Sequence, residues 1–449
     1  MSISKRTGTV LLAGALAGVF SLSACSPGSL GSSTTEATGT TTGSAAAENV
    51  SITYLVDNGE NTALLAKAQV AAFMKANPTI KVTIDTRPQG TDGDNAVKTK
   101  LATGDMADVF AYNSGSLMKA LDPAQNLLPV TSEAWVANLD DSFKGTVTVG
   151  TEVYGAPNGT ATGGGVLYNR KVYADLGLTV PKTWAEFKAN NAKIKAAGID
   201  PVIQSYADTW TSQLFVLADF NNVAKVQPDW AEKYTANQAK YVDEPAIRGF
   251  QRLEDVSKSG YLNKNFASMK YDQALVYLAA GKGAHYPMIT FAIPNLVTAD
   301  AANAENIGFF ALPGDDAATA GATLWLPGGV YIPTTTTGAK LDAAKKFQAW
   351  IASKENCDVY AATVAMDGAF VVKGCTMPDS VPQAVKDMQA YVDAGASTPA
   401  LEFVSPVKGP NLEKITVEVG SGIASAADGA KRYDEDVKKQ AQQLGLEGW

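Results

Sequence analysis

The chain has 449 residues, with 37 Lys+Arg against 45 Asp+Glu, one His and three Cys, too many for one compact core and enough for two or three domains. Its formal charge of −8 and pI near 5.0 exclude the basic face that nucleic-acid binding requires. The single His285 excludes a two-His metal site, and no Ser sits in a G-x-S-x-G motif, so zinc-hydrolase and esterase arrangements fall away.

At the N-terminus Lys5 and Arg6 precede an apolar run from Val10 to Phe20, too short for a permanent membrane span. It ends in Leu22-Ser23-Ala24-Cys25, which resembles a bacterial lipobox. Residues 1–24 are then a signal peptide cut before Cys25, whose thiol takes the lipid. Its removal takes away Lys5 and Arg6 and no acid, moving the formal charge from −8 to −10. Residues 25–48, dominated by Ser, Thr, Gly and Ala, have little to bury and read as a flexible linker. In an oxidising compartment the remaining pair, Cys357 and Cys375, is expected to form a disulfide.

From Asn49 onward the pattern is globular. Ser51 to Val56 is a β-branched and aromatic strand stopping at Asp57-Asn58-Gly59-Glu60. Leu64, Leu65, Ala68, Ala71, Ala72 and Phe73 recur at helical spacing until Asn77-Pro78. Ile80 to Ile84 alternates as a second strand, Val97 to Leu101 begins another helix, and Ala107 to Ala111 is a third strand. Asp92-Gly93-Asp94-Asn95 reads as a solvated turn without the later positions of a calcium loop. Alternating strands and helices give a mostly parallel α/β sheet, with ligands beyond the carboxyl ends of its strands.

Five blocks in a fixed order carry a family resemblance. They are Phe73-Met74-Lys75-Ala76-Asn77-Pro78 with the strand after it; Leu101-Ala102-Thr103-Gly104-Asp105-Met106-Ala107-Asp108-Val109-Phe110; and Tyr154-Gly155-Ala156-Pro157 leading through Leu167-Tyr168-Asn169-Arg170 to Pro181-Lys182-Thr183-Trp184. Gly281-Lys282-Gly283-Ala284-His285-Tyr286 and Ile307-Gly308-Phe309-Phe310-Ala311-Leu312-Pro313-Gly314 complete the set. Over residues 49–449 the chain resembles the carbohydrate-binding extracytoplasmic proteins of ABC importers, the family that includes the maltose-binding protein.

The resemblance implies a type II periplasmic-binding-protein-like fold of class α/β: two α/β lobes, a hinge and an interlobe ligand cleft. Lobe 1 is expected to hold 49–157 plus 310–355 and lobe 2 to hold 158–309 plus 356–449, with crossings at Tyr154 to Asn158 and Phe309 to Gly314. It further implies a carbohydrate ligand, the permease subunits of an ABC transporter as partners, a membrane tie through Cys25, a monomeric state and no cofactor.

A pyranose offers an apolar C–H face and a rim of hydroxyls, so its site needs flat rings and carboxylates or amides. The expected ligand residues of the first lobe are Asp57, Asn58 and Glu60 after the first strand, Asp92, and Tyr112 and Asn113 after the third. Those of the second are Tyr206 and Trp210 in a polar-aromatic loop, Phe291 where relatives carry a stacking Trp, and Trp325 before paired glycines. Trp184 and His285 read as core residues. Two alternatives stay open: another solute such as a peptide or polyamine, or a secreted glycosidase built on paired carboxylates.

Overall fold

The computed structural model describes residues 49–449; the expected signal peptide, the expected lipid site Cys25 and the expected linker to residue 48 lie outside the described residues. The described residues form thirteen strands: β1 Val50–Asp57, β2 Ile80–Arg87, β3 Val109–Tyr112, β4 Thr148–Val149, β5 Glu152–Val153, β6 Ala156–Asn158, β7 Thr162–Asn169, β8 Asp200–Val202, β9 Gly283–Ile289, β10 Ile307–Ala311, β11 Ala322–Trp325, β12 Gly328–Tyr331 and β13 Ser397–Pro399.

The first sheet runs β2-β1-β3-β12-β6. β1 pairs in parallel with β2 from Val50↔Ile80 to Asp57↔Arg87 and with β3 at Tyr54↔Val109. The helix α1, Glu60–Ala76, buries Leu65, Ala66, Gln69, Val70 and Phe73, the one-sided stripe that a 3.6-residue period produces. It ends where the Asn77 side chain and backbone both donate to the Phe73 carbonyl. The helix α2, Gly90–Thr103, starts earlier than the spacing of its apolar residues implies. Asp92 therefore occupies its first turn and not a free turn, a place where the helix dipole favours an acid, while Gly93 packs so closely on the Pro88 carbonyl that a Cβ would lie 2.0 Å from it.

The second sheet runs β13-β11-β7-β9-β8, with β10 also paired to β7. β7 is buried along its whole length: β9 takes one edge, and β10 and β11 share the other. Each sheet has its own apolar core. Phe73, Phe110, Phe143, Tyr331 and Phe347 belong to that of the first. Phe187, Phe215, Trp230, Phe250 and Phe310 belong to the main core of the second, supplemented by a cluster around Leu275, Tyr286 and Met288.

The passages between the sheets depart from expectation. Tyr154 to Asn158 ends in β6, an edge strand of the first sheet, and the chain passes over after it, between Asn158 and Thr162. Phe309 to Gly314 is not a crossing: β10 pairs antiparallel with β7 from Ile307↔Asn169 to Ala311↔Gly165, so its backbone groups complete the second sheet. The return falls instead at Leu326-Pro327, between β11 and β12. Residues following 355 also stay with the first sheet for a further stretch. Cys357, Val371 and Val372 join its core, and only helix Gln383–Asp393 packs on β10. Cys357 and Cys375 are disulfide-bonded within this stretch, with Cα atoms 6.0 Å apart. Among the described residues no helix is long and apolar enough to cross a membrane.

Candidate functional site

β1 and β3 are neighbours, and the loops leaving their carboxyl ends open into two cavities at the seam between the sheets. The crossing strands hold the cavities side by side: Asn158 lines the first, its register partner Gly328 the second.

The first cavity has a volume of about 650 Å³. Glu60 and Asn61, at the start of α1, and Gln89, before α2, line it from the first sheet; Phe291, Pro294, Asn295 and Thr298 line it from the second. Asp57 shapes this loop without lining the cavity, its Oδ1 accepting from the Gly59 N–H at 2.9 Å and from Gln89 Nε2 at 3.0 Å. Across the seam Asn61 Nδ2 reaches Asn295 Oδ1 at 3.4 Å, and Asn295 Nδ2 donates to the Tyr271 hydroxyl at 3.3 Å. Phe291 belongs to an aromatic trio, 5.8 Å from Trp210 and 6.2 Å from Tyr271 between centroids, nearly parallel to the latter.

From the stretch after residue 355, Tyr360, Val364 and Asp367 line the same cavity. Asp367 Oδ1 accepts from the hydroxyls of Thr160 and Tyr360. Burial raises its carboxyl above the ordinary range, against the pull of those two hydrogen bonds. Tyr54 also lines this cavity. It is fully buried, and its hydroxyl has no hydrogen-bond partner among the described residues.

The second cavity, about 510 Å³, takes Asn113, Ser114 and Lys98 from the first sheet's side and Gln213, Trp325, Phe403 and Lys408 from the other. Here the two sides touch closely. Ser114 Oγ donates to the Pro327 carbonyl at 2.8 Å. Gly115, at φ 66°, lies where a Cβ would meet the Glu402 carbonyl at 2.8 Å. That approach needs a residue without a side chain.

Of the expected ligand residues, Glu60 and Phe291 meet in the first cavity, with Trp210 directly behind Phe291; Asn113 and Trp325 meet in the second. The others line neither cavity. Asn58 and Asp92 are exposed outside both. Tyr112 is buried beneath Arg87, whose guanidinium carbon is 5.5 Å from its ring centroid, and its hydroxyl is raised by burial and by neighbouring Asp94. Tyr206 turns inward against Phe266, and its hydroxyl fills the space left by Gly420, where a Cβ would be 1.9 Å away. His285 is buried between the Tyr173 hydroxyl (2.7 Å) and Asn191 Oδ1 (2.9 Å), and desolvation pulls it down to about 3. Trp184 is buried and donates to Asp255 at 2.9 Å.

Sequence reading passes over Asn295, Tyr271 and Asp367. Asn295 stands four residues after Phe291, one helical turn on, which is a usable signal. Asp367 sits in an Asp-Gly pair between apolar residues, a turn-forming pattern that is a usable signal. Tyr271 carries no signal of its own.

Comparison with known proteins agrees with this architecture. Residues 58–356 match the family described as bacterial extracellular solute-binding protein. A multiple sugar-binding protein of Streptococcus mutans is 27% identical over 333 residues, covering 72% of this chain and 76% of its own. A chitin oligosaccharide binding protein superposes with a TM-score of 0.73 at 22% identity, over 88% of this chain and 99% of that one. The solute-binding protein RafE, in complex with raffinose, superposes at 0.71 and 20% identity over the same shares.

Proposed function

The chain belongs to the bacterial extracellular solute-binding protein family, which makes it a binder and not an enzyme, and on that premise we propose that it captures a carbohydrate between its two sheets and delivers it to the permease of an ABC importer. The observation that carries the reading is the first cavity, where one aromatic face and a set of carboxylates and amides converge from both sides of the seam. In this reading Phe291, backed by Trp210 and Tyr271, takes the C–H face of a sugar ring. Glu60, Asn61, Asn295 and Asp367 take its hydroxyls, and Asn113 and Trp325 serve further units of an oligosaccharide in the second cavity. A micromolar site needs about 8 kcal/mol in all, within reach of one or two stacked rings and a few charge-assisted hydrogen bonds of about 1.5–3 kcal/mol each. The sugars bound by relatives, raffinose among them, support the class.

Each sheet with its core is one lobe, and the three passages between them are the hinge. A ligand gripped from both lobes binds the closed form more tightly and draws the population there, which is how occupancy is signalled to a transporter. Lipid on Cys25 and the linker to residue 48 tether a monomer at the outer face of the membrane. Trp fluorescence titrated with mono- and oligosaccharides tests the sugar assignment: quenching with a raised melting temperature is expected, and an inert response to every sugar overturns it. Release of a Cys25→Ala variant into the medium tests the tether.

A further inference from the structure

The charge of the first cavity is one-sided. Glu60 and Asp367 line it, and among the described residues no Lys, Arg or His does. Asp367 is part-buried, and both hydroxyls that contact it, from Thr160 and Tyr360, donate to Oδ1; Oδ2 has no hydrogen-bond partner among the described residues. A carboxylate withdrawn from water without a counter-ion is unfavourable, and an occupant bearing the opposite charge relieves that cost. Tyr54 also borders this cavity; it is fully buried, and its hydroxyl has no hydrogen-bond partner among the described residues.

Resting on the carbohydrate reading above, we propose that the sugar unit held in the first cavity carries a protonated amine, with Asp367 Oδ2 as its counter-ion and Glu60 as a second acid at the rim. Uronic acids and sugar phosphates are refused by the same two carboxylates, since like charges repel. Phe291, which lines the same cavity, serves a cation as well as a C–H face, because a ring face attracts positive charge.

Isothermal titration of the mature protein with matched sugars tests this. The set is glucose, glucosamine and glucuronic acid; galactose and galactosamine; and the β-1,4-linked trimers of glucose and of glucosamine. The expected result is that amine-bearing members bind at least tenfold more tightly than their neutral counterparts and that the uronic acid gives no heat. Asp367→Asn should bring the amine-to-neutral ratio close to one, and 0.5 M salt should shrink that ratio in the unaltered protein. Equal or tighter binding of the neutral sugars, or a ratio that survives Asp367→Asn, overturns the proposal and leaves the carbohydrate reading standing. Absence of binding by any sugar of any charge overturns both. Should Asp367→Asn fold poorly by its melting curve, Glu60→Gln and the salt dependence decide: a ratio unmoved by both rejects the counter-ion role.

Discussion

The indole of Trp325 lies directly on Gly164: a Cβ built on that glycine would sit 2.1 Å from Trp325 Cζ3. The two residues are on adjacent antiparallel strands, β11 and β7, offset by two positions from Trp325's register partner Thr162. The absence of one methyl group on β7 thus sets the ring's place on the wall of the second cavity. Gly164→Ala is expected to lift the indole, lower stability by about 1–3 kcal/mol through overpacking and weaken binding of longer saccharides more than of single units. Denaturant unfolding and titration with a mono- to trisaccharide series check this, and equal losses for all lengths would speak against a role for the second cavity.

Phe291 bears on the first cavity in the corresponding way. Because Phe291 is only part-buried in a trio otherwise anchored by Tyr271, Phe291→Ala should cost binding more than folding. Affinity is expected to fall at least tenfold, or about 1.4 kcal/mol, with a small change in melting temperature. Trp210→Phe should retain binding while removing most of the fluorescence response, since Trp210 stands behind Phe291. Calorimetry beside fluorescence separates the two effects.

His285 supplies a pH test. In the folded chain burial holds it neutral down to about 3, whereas in the unfolded chain it takes up a proton below about 6.5. Its folded-state value is depressed, so the linked stability is present above pH 6.5 and is lost as the pH falls toward 3. The slope approaches 1.4 kcal/mol per pH unit once the pH is well below 6.5. Asp219 runs the other way: burial lifts it to about 6 even though Arg252 pairs with it, so its contribution is lost as the pH rises toward 6. Comparing the unaltered protein with His285→Asn cancels the Asp219 effect. The variant is less stable at pH 7.5, and the gap should narrow between pH 6 and 4. A constant gap would mean that His285 is protonated in the fold.

Reduction of Cys357–Cys375 releases a loop spanning 18 residues. Loop-closure entropy puts the loss at about 3 kcal/mol. Urea unfolding of Cys357→Ser/Cys375→Ser against the oxidised protein measures it. Because the loop belongs to the first sheet's core and carries Asp367 between its two cysteines, a loss of sugar affinity is expected to accompany the loss of stability.

Much of this protein was determined by local chemistry that a sequence carries openly. β1 and β2 are rich in β-branched residues, α1 repeats its apolar residues every three or four positions, and Asn77 can end a helix by folding its own amide onto Phe73. The strand ends that bound the site followed from alternating strands and helices, which put Glu60, Asn113 and Trp325 within reach, while Trp210 and Phe291 came from the family resemblance. Tertiary structure alone decided which sheet β10 joins, for a strand buried throughout reads the same whatever neighbour completes its ladder. It also decided that Tyr206 fills the notch at Gly420 while Tyr271 backs Phe291. A tyrosine's composition and spacing are the same in both settings; what separates them is the shape of the surface across from it, contributed by residues more than two hundred positions away in one case and twenty in the other.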